Sequence, residues 1–111
     1  LIVPTGGYLV LGNNSNPATN GGVTVDYSYG AALTLANSED EIVLQDVGAN
    51  EIDRVVYDDM TFPDPNGASM FLALGEYNAV SNDLGENWYV SSTPMLGGDY
   101  GTPGVENDAT L

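Results

Sequence analysis

LTLANSEDEIVLQDVGANEIDRVVYDD, residues 33–59, sets β-branched and aromatic runs between acidic turns that contain Asn and Gly. That is the pattern of short antiparallel strands joined by tight connections. Ala32 to Leu35 and Glu41 to Gln45 read as two strands separated by Ala36-Asn37-Ser38-Glu39-Asp40, a run suited to a turn. The next strand, Ile52 to Tyr57, carries apolar residues at Ile52, Val55, Val56 and Tyr57. Its parity shifts once, which predicts either a β-bulge or burial of both faces.

Outward from this stretch the same grammar continues. Gly7 to Leu11 (GYLVL) is apolar on both faces and bounded by glycines, the expectation for a covered central strand. Val23 to Tyr29 alternates, with Val23, Val25, Tyr27 and Tyr29 on one face and Thr24, Asp26 and Ser28 on the other. Pro63 and Pro65 punctuate the chain before two further strands, Ala68 to Leu74 and Asn87 to Ser91. Residues 101–111 read as a C-terminal tail or linker, with Pro103 fixing φ and Gly104 free to take positive φ in a structural GTPG turn. No window sustains the helical i, i+3, i+4, i+7 pattern. Strands at this spacing with almost no helix point to a β-sandwich or barrel, and 111 residues make one domain, 1–111.

Charge narrows the classes of partner. Sixteen Asp and Glu against one basic residue, Arg54, give a formal charge of −15. Such a surface repels phosphate backbones and anionic membranes, so direct nucleic-acid binding and membrane insertion are not expected. No apolar run approaches the length that spans a bilayer. The single cation, Arg54, is expected to be held by neighbouring acids across a strand. The chain starts at Leu1 without a basic-then-apolar leader, as expected for a processed product or an excised piece.

The chemistry available is narrow as well. Cysteine and histidine are both absent, which removes thiolates, His-dependent triads and Cys/His metal sites. With no Lys either, a serine has no recognisable activating base, so the expectation is that the chain is not an enzyme. Only oxygen ligands remain for a metal, which favours Ca²⁺ or Mg²⁺. The candidate calcium ligands are Asp58, Asp59 and Asp64 in one group and Asp83 with Glu86 in another. None follows the spaced EF-hand loop. The competing reading is that these acids are solvated turn and edge residues that maintain solubility. Trp88, between Asn87 and Tyr89 in a strand, reads as a packing residue rather than an exposed carbohydrate platform.

The ordered set PTGGYLVLG, NGGV, LTLANSEDEIVLQD, EIDRVVYD, GASMFL, ENWYVSS and GTPGVEN resembles the lamin-tail domain family, and its bacterial secreted and cell-surface branch in particular. Leu33, Leu35, Asn37, Asp40, Leu44 and Asp46 match the family's Leu-x-Leu-x-Asn turn and following strand. Ile52, Asp53, Val55 and Tyr57 match the next strand, Gly67 and Ser69 a Gly-x-Ser step, Asn87 and Trp88 an Asn-Trp, and Gly101 to Gly104 with Asn107 the closing Gly-Thr-Pro-Gly. The resemblance implies an all-β, immunoglobulin-like antiparallel sandwich, with an extracellular or bacterial cell-surface location. It also implies a non-enzymatic accessory or interaction role. Family members begin with further strands that this chain does not supply, so the sandwich is expected to lack its N-terminal strands. Two alternatives follow. One is a structural subunit that assembles by β-strand complementation with another chain; the other is an accessory domain of a secreted nuclease or phosphatase whose catalytic domain lies elsewhere.

Overall fold

The computed structural model describes residues 1–110. Strand is the main regular structure, helix is confined to two 3₁₀ turns, and most of the pairing is antiparallel. The strands are β1 (Leu11–Gly12), β2 (Tyr27–Ser28), β3 (Glu39–Gln45), β4 (Glu51–Asp58), β5 (Met70–Leu72) and β6 (Trp88–Val90). The 3₁₀ turns, Ser81–Asp83 and Gly85–Asn87, lie between β5 and β6. Three two-stranded sheets result: β1 with β2 in parallel, and β3 with β4 and β5 with β6 antiparallel. Among the described residues no helix is long and apolar enough to cross a membrane.

The β3–β4 hairpin forms because its turn satisfies itself. The Asp46 carboxylate accepts hydrogen bonds from the backbone N–H of Gly48 at 2.8 Å, the N–H of Asn50 at 2.9 Å and the Asn50 amide. These bonds hold the carboxyl below its ordinary range, the Asn50 side chain contributing most. Ala49 takes φ 62°, a left-handed conformation that the closed loop imposes on a residue with a Cβ. Pairing runs from Glu39↔Asp58 to Leu44↔Asp53 and then jumps to Gln45↔Glu51. Ile52 is the extra residue, so the shift in parity is a β-bulge. Arg54 bonds to Glu41 across the hairpin and to Glu51 at 2.7 Å, the ion pairing expected of the only cation.

The N-terminal strands are shorter than their sequence predicts. Gly7 to Leu11 contributes only Leu11 to a ladder, and Tyr8 and Leu11 are about half exposed. Of Val23 to Tyr29 only Tyr27–Ser28 pairs; Val23, Val25 and Tyr29 are more buried than Thr24, Asp26 and Ser28, but Tyr27, expected on the same inward face, is 52% exposed. Ala32 to Leu35 forms no strand. Local alternation therefore survives as burial, while the ladder bonds go elsewhere: the Asp26 carboxylate accepts from the Val10 N–H at 2.7 Å, and the Asp26 N–H donates to the Val10 carbonyl.

A small core sits beside β5 and β6. Phe62, Phe71 and Ala73 are its buried apolar residues, with Phe62 against Trp88 (ring centroids 6.0 Å apart) and Phe71 against Tyr89 across the sheet. The Trp88 indole N–H donates to the Asn82 carbonyl at 2.9 Å, which agrees with a packing role for this ring.

The closing segment is fastened to this core. Gly101 is buried, and its N–H donates to the Thr93 carbonyl; Gly104 takes φ +83°; the Asn107 amide donates to the Leu72 carbonyl. The Asp108 carboxylate accepts from the Ser91 hydroxyl at 2.6 Å, the Thr93 hydroxyl and the Ser92 N–H at 2.8 Å. Those donors, Ser91 first, hold its pKa down from 3.8 to about 2. A carboxyl depressed in the folded state stabilises above its unfolded pKa, and that contribution is lost as pH falls through the folded value. Asp108→Asn is thus expected to melt below the parent at pH 5, with the gap closing between pH 4 and pH 2. Melting curves at several pH values check this; a gap unchanged down to pH 2 would assign the loss to something other than the charge.

Candidate functional site

The acids singled out by sequence do not assemble into one centre. Among the described residues no group of three or more His, Cys, Asp or Glu is placed to hold a metal ion. Asp58, Asp59 and Asp64 do share a groove of about 260 Å³ at the end of the hairpin, with apolar neighbours Leu35, Ile42 and Met70. Asp58, however, caps the turn that follows it: its carboxylate accepts from the N–H groups of Met60 and Thr61 and from the Thr61 hydroxyl. Those bonds lower its pKa, the Thr61 side chain contributing most. Asp83 belongs to the first 3₁₀ turn and Glu86 to the second, both exposed, and Asp83 lines a different groove from the other three acids.

That second groove has more to offer a ligand. It runs along β4, where Glu51, Ile52, Asp53, Arg54 and Val56 face Ala79 and Asp83 from the loop ahead of β6, and it encloses about 420 Å³. Ile52 and Val56 are each 58% exposed on it. Among the described residues the β3–β4 sheet has two strands, and on the outer edge of β4 the Arg54 N–H donates to the Asp53 carboxylate at 2.8 Å rather than to a neighbouring strand. Asn82 ties the far wall to the strand through its amide, which donates to the Asp53 carboxylate at 2.6 Å. Its own Oδ1 is buried without a hydrogen-bond partner among the described residues. Sequence inspection missed this surface. The one signal for it was the parity shift within Ile52 to Tyr57, since one of its two readings was a bulge and bulges concentrate at sheet edges.

A third groove of about 630 Å³ lies against β5 and β6 and is mainly apolar, with Tyr8, Tyr77, Trp88, Met70, Met95 and Pro103 around it. Its volume falls within the range of small-molecule sites, and it shares Trp88 with the core. Among the described residues no carboxylate lines it.

Apolar surface is exposed well beyond these grooves. Ile42, Leu44, Ile52 and Val56 on the hairpin are 48–58% exposed, and Leu33, Leu35, Tyr8 and Tyr77 are open too. Scattered apolar residues are ordinary on a protein surface, but contiguous ones mark interaction sites. Comparison with known proteins gives no match to a protein-family model, to a curated protein or to a solved structure.

Proposed function

We propose that this chain is a non-enzymatic interaction module, an immunoglobulin-like sandwich of lamin-tail type in a bacterial extracellular or cell-surface protein, and that it gains its remaining apolar cover from another polypeptide. The observation that carries this reading is surface area. The chain exposes 7752 Å² at a mass of 11.6 kDa. A folded monomer of that mass is expected to expose about 5,800 Å². The excess is more than twice the ~800 Å² that one partner contributes to a standard interface. Half-exposed apolar residues on the hairpin, Ile42 and Leu44 on one face and Val56 on the other, account for part of that excess.

A binding role also suits the electrostatics better than catalysis. Asp40, Asp46, Asp58 and Asp108 are all held below the ordinary carboxylate range by hydrogen bonds. Paired-carboxylate hydrolysis needs one carboxyl pushed the other way, by burial or by a neighbouring charge.

Light scattering on the eluting chain, combined with a dye that fluoresces on apolar surface, tests the proposal. The isolated chain is expected to bind the dye strongly or to associate as concentration rises. A concentration-independent monomer that leaves the dye dark has no cover to gain, and would end this reading.

A further inference from the structure

We infer that Asn66 is a modification site, where the side-chain amide is lost spontaneously to the backbone nitrogen of Gly67 and leaves a mixture of aspartate and isoaspartate. The reaction needs no enzyme, and water is its only co-reactant. It is independent of what the chain binds.

The chain contains two Asn-Gly steps, Asn20-Gly21 and Asn66-Gly67. A glycine after asparagine favours ring closure, because no Cβ hinders its nitrogen and its backbone turns freely. At Asn66 the Gly67 nitrogen gives up its proton and bonds to Cγ, while the Cγ–Nδ2 bond breaks and the amide nitrogen leaves with that proton as ammonia. Water then opens the cyclic imide. Addition at Cγ gives aspartate; addition at the main-chain carbonyl carbon gives isoaspartate, in which the chain runs through the former side chain.

Structure separates the two steps. Asn20 is half-buried and its amide is fully engaged: Nδ2 donates to the Asn14 and Val23 carbonyls, each at 3.0 Å, and Oδ1 accepts from the Val23 N–H at 2.9 Å. Gly21 is packed too, since a Cβ there would stand 3.0 Å from the Leu96 carbonyl oxygen. Ring closure at Asn20 must first break those bonds. Asn66 and Gly67 are both exposed, and among the described residues neither the Asn66 amide nor the Gly67 N–H makes a hydrogen bond. Gly67 takes φ +71°, where a side chain would be strained, so the turn itself demands the glycine that makes Asn66 labile. The product adds one negative charge to the formal −15. Isoaspartate also lengthens the main chain between buried Phe62 and Ala68, which bridges to Tyr100.

Trypsin reads the two sites separately. With Arg54 as the single basic residue it cuts the chain once, leaving Asn20 in fragment 1–54 and Asn66 in fragment 55–111. The folded full chain is held at mildly alkaline pH, sampled over days, digested briefly and weighed by mass spectrometry, and isoaspartate is counted with an isoaspartyl methyltransferase and labelled methyl donor. Fragment 55–111 is expected to gain both isoaspartate and the mass of an amide-to-acid exchange, faster as pH rises. Fragment 1–54 should lag at least about tenfold, because Asn20 reacts only from a locally opened state. In denaturant that lag should close. Asn66→Gln, an exposed change, should abolish the early gain in 55–111. The inference is overturned by a gain that persists in Asn66→Gln, by a fragment 55–111 that stays unchanged, or by a folded chain in which 1–54 keeps pace. A lag of equal size in denaturant would trace the difference to flanking sequence and overturn the protection assigned to the fold.

Discussion

Gly85→Ala is expected to lower the melting temperature by on the order of 10 °C or more, or to prevent folding. A Cβ at this position would stand 2.0 Å from the Thr61 carbonyl oxygen, 2.6 Å from the Thr61 carbonyl carbon and 3.1 Å from the Phe62 nitrogen. All three are backbone atoms, so no rotamer change relieves the clash. Overpacking of a close contact costs typically 1–3 kcal/mol and occasionally more, and a main-chain collision places this one at about 3 kcal/mol. The turn at Thr61 is itself pinned by Asp58, and Phe62 is one of three buried apolar residues among those described, so separation there opens the core as well. Thermal unfolding followed by circular dichroism gives the answer directly. A variant melting within about 2 °C of the parent would show that the second 3₁₀ turn moves off the 61–62 turn without penalty.

What the sequence disclosed about the fold depended on how local each interaction is. The two strands of the β3–β4 hairpin were legible, though Glu39 and Asp40 belong to β3 and not to a turn, because their apolar runs lie within a few residues of the contacts they decide; the parity of Ile52 to Tyr57 left a bulge and burial of both faces equally open. β5 and β6 were legible as strands but shorter than read, Met70–Leu72 and Trp88–Val90 within Ala68 to Leu74 and Asn87 to Ser91. At the N-terminal end the alternation of Val23 to Tyr29 is present as burial and largely absent as a ladder. Pattern specifies which side chains turn inward; a ladder also needs a partner strand, and that partner is a non-local fact.

The same distinction governs the candidate site. Arg54 was bound to find acids, since sixteen are available and it is alone. The grouping of Asp58, Asp59 and Asp64 around one groove was legible because they are neighbours in sequence. Their individual roles were not, because a hydrogen bond from the Thr61 hydroxyl makes Asp58 a turn cap, and an Asp in such a turn looks identical in sequence to an Asp that faces a ligand. Asp53 and Asp83 stand thirty positions apart, and only the docking of the first 3₁₀ turn through Asn82 brings them to one groove.

Phe62→Ala is the second substitution with a large expected effect. Phe62 is 7% exposed and meets Trp88 with ring centroids 6.0 Å apart and planes tilted by 49°. Truncating a buried Phe to Ala costs 3–5 kcal/mol, the spread reflecting how far the site collapses around the cavity. A core with only Phe71 and Ala73 as further buried apolar members among the described residues is open enough to relax. The loss is therefore placed at the lower end, about 3 kcal/mol. Phe62→Leu keeps most of the volume and should cost under about 1.5 kcal/mol. Trp88 is the only tryptophan, donates its N–H to the Asn82 carbonyl and packs against Phe62, so its fluorescence reports on this contact separately from global unfolding. In Phe62→Ala the folded-state emission should shift to the red and become more accessible to quenchers, while Phe62→Leu stays near the parent. Phe62 lies in Thr61-Phe62-Pro63-Asp64-Pro65, a proline-broken loop with no period to mark it as core. An unchanged emission maximum together with an unchanged melting temperature would mean that Trp88 is held by Asn82 and its β5 partner Leu72 alone, and that this loop contributes no core.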